Sequence, residues 1–108
     1  MDTSTPLPIV DAEGYLVEPQ DWNEALAAEF ARQENIELTA DHWDVIHFMR
    51  AFFDEHQVAP DARYVIKHLV ERIGSEGRNR LFALFPYGYV KQACRIAGMK
   101  RPRAWSTG

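Results

Sequence analysis

Apolar residues along this chain recur mostly with a helical period, and the interruptions fall at glycine, proline and capping residues. The exception is the beginning. Pro8-Ile9-Val10, Asp11-Ala12-Glu13-Gly14 and Tyr15-Leu16-Val17 read as a short hairpin, β-branched and aromatic residues flanking a turn that ends in glycine. A lone hairpin is marginal in water, so this one is expected to pack on something. Residues 1–7 read as a loose polar end.

Helix one is expected from Asp21, with Glu24 three residues on as a capping-box partner. Its stripe is Trp22, Leu26 and Phe30, with Ala25 filling in, and it should fade near Glu34-Asn35. Helix two has the strongest pattern. Thr39 is its N-cap, Asp41 sits in the first turn where the helix dipole favours negative charge, and Val45, Ile46, Met49, Phe52 and Phe53 form the stripe beside Trp43. It should end near His56-Gln57 as the central core helix. Helix three follows Pro60-Asp61, buries Val65, Ile66, Leu69, Val70 and Ile73, and stops at Gly74. Helix four is expected over about Arg78 to Phe85. Helix five runs from about Tyr89 to Ala97, ended by Gly98. Met99 to Gly108, with Lys100, Arg101, Pro102 and Arg103, reads as a mobile basic arm. The expected fold is therefore mainly α. It is a bundle of five or slightly more helices with an N-terminal β-hairpin and a flexible C-terminal arm. No β–α alternation supports a nucleotide-binding parallel sheet.

The chain's 108 residues make one domain, 1–108, long enough for a real core. No apolar run approaches the ~20 residues that span a bilayer, and no basic stretch followed by an apolar one opens the chain, so no secretory signal and no membrane partner are expected. One cysteine excludes an internal disulfide framework and a multi-cysteine zinc site, which makes a reducing cytoplasm the expected location. The net charge of −4 hides a polarity. Residues 1–57 carry 13 acidic residues against Arg32 and Arg50, a balance of −11. Residues 58–108 carry 3 acidic and 10 basic residues, a balance of +7. Either the two halves cancel on folding, or a basic face meets an acidic partner, a nucleic acid or an anion.

Chemistry-bearing patterns are few. There is no glycine-rich phosphate loop. His42 and His47 are five residues apart, on different helix faces, and His56 and His68 lie on separate helices, so no metal and no cofactor are expected. The carboxylates fall on solvated faces. Helix three, Gly74 and helix four have helix-turn-helix spacing with Arg78 and Arg80 opening the second helix, but Leu81, Phe82, Leu84 and Phe85 suit a core better than a DNA groove. Tyr64, Tyr87, Tyr89 and Trp105 among basic residues add a weak nucleic-acid signal. Cys94 is the one residue with reactive potential. Val90, Ala93, Cys94 and Ala97 form one helical stripe, which fits a small buried hydrophobe. Lys91 and Arg95 favour a thiolate, while the helix C-terminus disfavours one. The residues leave a packing cysteine and a reactive thiol both open.

The stretch Phe85-Pro86-Tyr87-Gly88-Tyr89-Val90, then KQACRIAG (Lys91 to Gly98), then Met99-Lys100-Arg101-Pro102, resembles the C-terminal signature of the DsrC/TusE family of small sulfur-relay proteins, which includes the gamma subunit of dissimilatory sulfite reductase. Asp11 to Leu16 is similar to that family's N-terminal hairpin, and Leu38 to Trp43 to the start of its long helix; the resemblance runs from Pro8 to Pro102. It implies a helical bundle with an N-terminal hairpin, and sulfur carried on cysteine in a C-terminal arm. Dissimilatory members have two cysteines, and the tRNA-thiolation members keep only the one near the arm's end. Here Cys94 matches the proximal cysteine, while the distal position is Trp105 and Lys100 replaces a common proline. The ten intervening residues would reach up to ~35 Å extended. Without a distal cysteine, Cys94 has no intramolecular disulfide partner.

The resemblance implies a protein of sulfur metabolism that binds sulfur-transfer or sulfite-reductase-type partners, at most a sulfurtransferase or sulfur carrier. Cys94 is then its candidate persulfide acceptor. Lys91, Arg95, Lys100, Arg101, Arg103 and Trp105 are its candidate partner-binding residues, Trp105 suiting an interface anchor. The alternatives are a non-catalytic regulatory paralog binding DNA through the helix-turn-helix-like region, and a structural docking subunit with an inert Cys94.

Overall fold

The structure, a computed structural model, describes residues 9–100. Over that range it contains four α-helices: α1 (Glu24–Gln33), α2 (Ala40–His56), α3 (Ala62–Ile73) and α4 (Gly77–Leu84). Short 3-10 turns at Pro19–Asp21 and Gly74–Glu76 precede α1 and α4, and a π-helical segment, Tyr89–Cys94, follows α4.

The mainly helical expectation holds, but two of its parts need correction. The N-terminal hairpin does not form a sheet: the described residues contain a single antiparallel bridge, Val10 to Leu16. Its turn is closed by the Asp11 carboxylate, which accepts from Glu13 N at 2.9 Å and Tyr15 N at 3.0 Å. Tyr15 and Leu16, adjacent in sequence, are both buried, so the one-in, one-out alternation of a strand is lost. The chain then turns into the Pro19–Asp21 helix before a ladder can extend. The second correction concerns helix five, which is a π-helical segment rather than an α-helix. Its buried side chains are Tyr89, Gln92, Ala93 and Cys94, and the last of these lies five positions after the first, the spacing of a π turn.

Local signals set the other elements. Asn23, not Asp21, caps α1, its Oδ1 accepting from Leu26 N at 2.8 Å. Leu26, Ala27, Phe30 and Ala31 are the buried face of that helix; Ala25 faces solvent, and Trp22 lies ahead of the helix. Thr39 caps α2 as the pattern predicts, in a capping box whose third helical residue is His42: Thr39 N donates to His42 Nδ1 at 3.0 Å. Gln57 ends α2 in the left-handed region at φ 62°. Asp61 caps α3 through Arg63 N, at 2.9 Å, and Gly74 ends it at φ 87°. Val65 and Leu69 are fully buried, whereas Val70 is 41% exposed and leaves the expected stripe.

The core sits where α2, with Val45, Ile46 and Met49, meets α1, α3 and the chain after α4. Phe85, Ile96 and Met99 are among its largest wholly buried side chains. Each such side chain contributes roughly 1.5–3 kcal/mol relative to exposure. Met99, expected in the mobile arm, is thus a core residue, and only Lys100 of that arm lies exposed among the described residues. The α3–α4 pair packs tightly because Gly77 brings the two backbones together: a Cβ there would lie 2.6 Å from Val70 N.

Candidate functional site: the Cys94 segment

Gly88, at φ 116°, lets the chain leave the Pro86-Tyr87 turn and enter the π segment without a side-chain cap. Polar contacts then fasten the segment on both sides. Gln92, fully buried, accepts from Tyr87 N at 3.1 Å and donates to Glu34 Oε1 at 3.0 Å. Tyr89 donates to the Pro60 carbonyl. Tyr15 donates to Val90 O at 3.1 Å, and Trp22 Nε1 to Ile96 O at 2.9 Å. Arg50 reaches Ala97 O at 3.1 Å and Pro19 O at 3.0 Å, its guanidinium 4.7 Å from the Trp22 ring centre.

Cys94 is free and has no solvent exposure. Burial pushes its thiol up from an ordinary 9.0 to about 12, and the neighbouring Tyr89 hydroxyl offsets only part of that. At neutral pH Cys94 in this conformation is therefore a protonated core thiol and not a nucleophile. The support that Lys91 and Arg95 were expected to lend is absent. Lys91 points to solvent. Arg95 is spent on internal contacts: Gly14 O at 3.2 Å, Glu34 at 3.0 Å, Gln33, and the Phe30 ring at 4.7 Å. Its side chain is only 17% exposed, so it ties the N-terminal turn, α1 and the π segment together.

Of the six expected partner-binding residues, Lys91 and Lys100 are exposed and Arg95 is engaged; Arg101, Arg103 and Trp105 lie outside the described residues. A groove of about 630 Å³ opens beside the segment, between Glu13 and Tyr15 on one side and Tyr87 and Lys91 on the other. Cys94 does not line it.

Of the two arginines expected to open the second helix of the helix-turn-helix-like pair, Arg78 is exposed and Arg80 is held by Asp41. Arg80 and Arg72 both pair with Asp41 at the start of α2, Arg72 at 2.9 Å. Leu81 and Leu84 are buried in the core, while Phe82 is 54% exposed. Among the described residues no cluster of histidine, cysteine and carboxylate side chains could hold a metal ion, and no helix is long and apolar enough to cross a membrane. His68 and His47 each face a single carboxylate, Asp44 at 2.8 Å and Glu24 at 3.0 Å.

Sequence reasoning missed Trp22, His42 and Arg50 as organising residues. His42 is buried, and its Nε2 lies 2.9 Å from Leu84 O. A lone polar or aromatic residue on an apolar stripe carries no local sign of a carbonyl dozens of positions away.

The family model for the DsrC-like protein matches residues 7–104. A sulfurtransferase TusE of Sodalis glossinidius is 50% identical over 94 residues, spanning 85% of this chain and 87% of the relative. The solution structure of Allochromatium vinosum DsrC is 44% identical, with a TM-score of 0.77 over 88% of this chain and 87% of that one. The oxidized gamma subunit of the dissimilatory sulfite reductase from Archaeoglobus fulgidus, also at TM-score 0.77, is 34% identical over 90% of both chains.

Proposed function

The chain belongs to the DsrC-like protein family, and from that premise we propose that it is a partner-binding component of cytoplasmic sulfur transfer whose Cys94 accepts one sulfur as a persulfide. Its relatives named as TusE sulfurtransferases and as a sulfite reductase gamma subunit support the sulfur-transfer class. The observation that carries the residue assignment is that Cys94 is the chain's only cysteine and sits in the KQAC stretch, on a segment held by distant side chains. Lys91 and Lys100, both exposed, are the chain's docking residues among those described, and Arg101, Arg103 and Trp105, outside the described residues, are assigned to the same role from the sequence.

The transfer is a thiol exchange. The Cys94 sulfur attacks the outer sulfur of a partner's persulfide. The partner's S–S bond breaks, a Cys94 S–S bond forms, and the Cys94 proton ends on the released partner thiol. No external oxidant is needed. The thiol must first leave its buried site, because only an accessible thiolate attacks.

Complete burial of Cys94 favours a second reading, a docking subunit in which that cysteine is packing alone. Intact mass after incubation of the reduced protein with glutathione persulfide decides between them, with Cys94→Ser as control. A gain of one sulfur in the parent and none in the control supports the acceptor. No gain, with Cys94 alkylated only after unfolding, leaves the docking subunit.

A further inference from the structure

The end of the Cys94 segment is held by distant side chains as well as by its own backbone, in which Gly98 N donates to Arg95 O at 3.1 Å. A helix terminus leaves its last carbonyls without intrahelical donors. Here those carbonyls are met from far away in sequence: Ile96 O by Trp22 Nε1 at 2.9 Å, and Ala97 O by Arg50 Nη1 at 3.1 Å. The two donors brace each other, the Arg50 guanidinium lying 4.7 Å from the centre of the Trp22 ring. Arg50 is itself anchored to Pro19 O at 3.0 Å. Gly98 completes the fit, since a Cβ there would lie within 2.8 Å of three Trp22 atoms. Between this clamp and the second attachment, Tyr15 to Val90 O at 3.1 Å, lies Cys94. Met99 N folds back on Cys94 O at 3.0 Å, so the chain after the thiol closes on the backbone of the residue that carries it.

We infer that Trp22 and Arg50 form a latch on the Ile96 and Ala97 carbonyls, and that releasing this latch, without unfolding the bundle, is what exposes the Cys94 thiol. The latch rests on the reading of Cys94 as a sulfur acceptor for its purpose, but not for its existence. The caps of α2 and α3 are made locally by Thr39 and Asp61 and do not depend on residues 95–100, so opening costs the burial of Ile96, Ala97 and Met99 and leaves those caps in place. Local opening of this kind costs less than global unfolding and shows as a labelling rate set by the opening equilibrium. Trp22 and Arg50 are positioning residues: neither touches the sulfur chemistry.

The test is the rate of Cys94 alkylation by iodoacetamide in the native full-length chain, for the parent, Trp22→Phe and Arg50→Met. Each substitution keeps most of the side chain's volume and removes the donor. Loss of one carbonyl anchor is expected to raise the labelling rate roughly five- to tenfold. Leu69→Ala, in the core of α3, serves as the control. It lowers the unfolding midpoint and should leave the labelling rate in native buffer unchanged. Circular dichroism establishes that each variant is folded.

The latch is overturned if Leu69→Ala accelerates labelling in proportion to its loss of global stability, or if both latch variants label at the parent rate. Exposure of each variant to glutathione persulfide separates the two ideas. Variants that alkylate quickly yet take up no sulfur uphold the latch and remove the acceptor role. Variants that neither alkylate faster nor load faster than a parent that itself loads sulfur leave the acceptor and remove the latch.

Discussion

Replacing Gly98 by alanine tests the closeness of Trp22 to the end of the Cys94 segment. Two costs add at this position. Gly98 has φ 77°, where a Cβ costs about 1–2 kcal/mol. The new methyl would also lie within 2.8 Å of the Trp22 Cδ1, Cγ and Cβ atoms. Cβ and Cγ belong to the base of the indole, which cannot move without breaking the bond from Nε1 to Ile96 O. Overpacking of this sort costs about 1–3 kcal/mol. The expected loss is therefore about 2–5 kcal/mol, a large share of the roughly 5–15 kcal/mol that holds a domain folded.

Two other glycines isolate the parts. Gly74, at φ 87° and ψ −157° with nothing within 4 Å, carries a backbone cost alone, in a region open essentially only to glycine. Gly77, at φ −55°, carries the steric cost alone, against Val70 N at 2.6 Å, partly offset by about 1 kcal/mol of helix propensity. Urea unfolding of the three alanine variants, monitored by circular dichroism, gives the comparison. Gly98→Ala should lose clearly more than its backbone cost of about 1–2 kcal/mol, with a melting point lower by roughly 4 °C per kcal/mol. A loss no larger than that backbone cost would refute the close packing of Trp22 on residue 98.

Three further outcomes follow from the charges and the buried polar contacts. Cys94 and Tyr89 both titrate higher in the fold than in the open chain, burial being the chief cause in each. The Cys94 stabilisation is complete below its unfolded value of 9.0 and is lost as pH rises toward its folded value of about 12, and Tyr89 adds to the fall above its own unfolded value of 10.0. Urea midpoints should therefore fall across that interval, and Cys94→Ala should flatten the slope by about 1.4 kcal/mol per pH unit. Asp41, held below the usual carboxylate range by hydrogen bonding from Arg72 and then Arg80, contributes stability above its unfolded value that is lost as pH falls through the folded one. Asp41→Asn should lower the melting point at neutral pH, by less in high salt, and by nothing once acid has protonated the parent's carboxyl. His42→Ala should cost about 2–3 kcal/mol in thermal unfolding, because Leu84 O loses its buried partner and the edge contact with Phe85 at 5.3 Å disappears; a loss below half of that would mean the α2–α4 link is solvated.

What the sequence alone determined here is what is decided locally. The cap at Thr39, the start of helix three at Pro60-Asp61, the stop at Gly74 and the buried stripe Val45, Ile46, Met49 were all legible, because a cap or a helical period involves residues a few positions apart. The family was legible for a related reason: its signature is a run of adjacent residues, Phe85 to Pro102, that carries its own identity. The hairpin and the fifth helix failed as local predictions because their form depends on what lies across from them. Tyr15 is drawn inward toward Val90 O, and Tyr89 and Gln92 are drawn to Pro60 and Glu34, which bends a helical period into a π register. Cys94 was ambiguous for the same reason. Lys91 and Arg95 beside it in sequence spoke for a thiolate, yet in three dimensions Arg95 turns to Glu34 and the sulfur turns to the core. Only the tertiary structure could decide that the desolvation of one sulfur outweighs two nearby cations, because burial is a property of everything that surrounds a group, and a sequence lists only its neighbours along the chain.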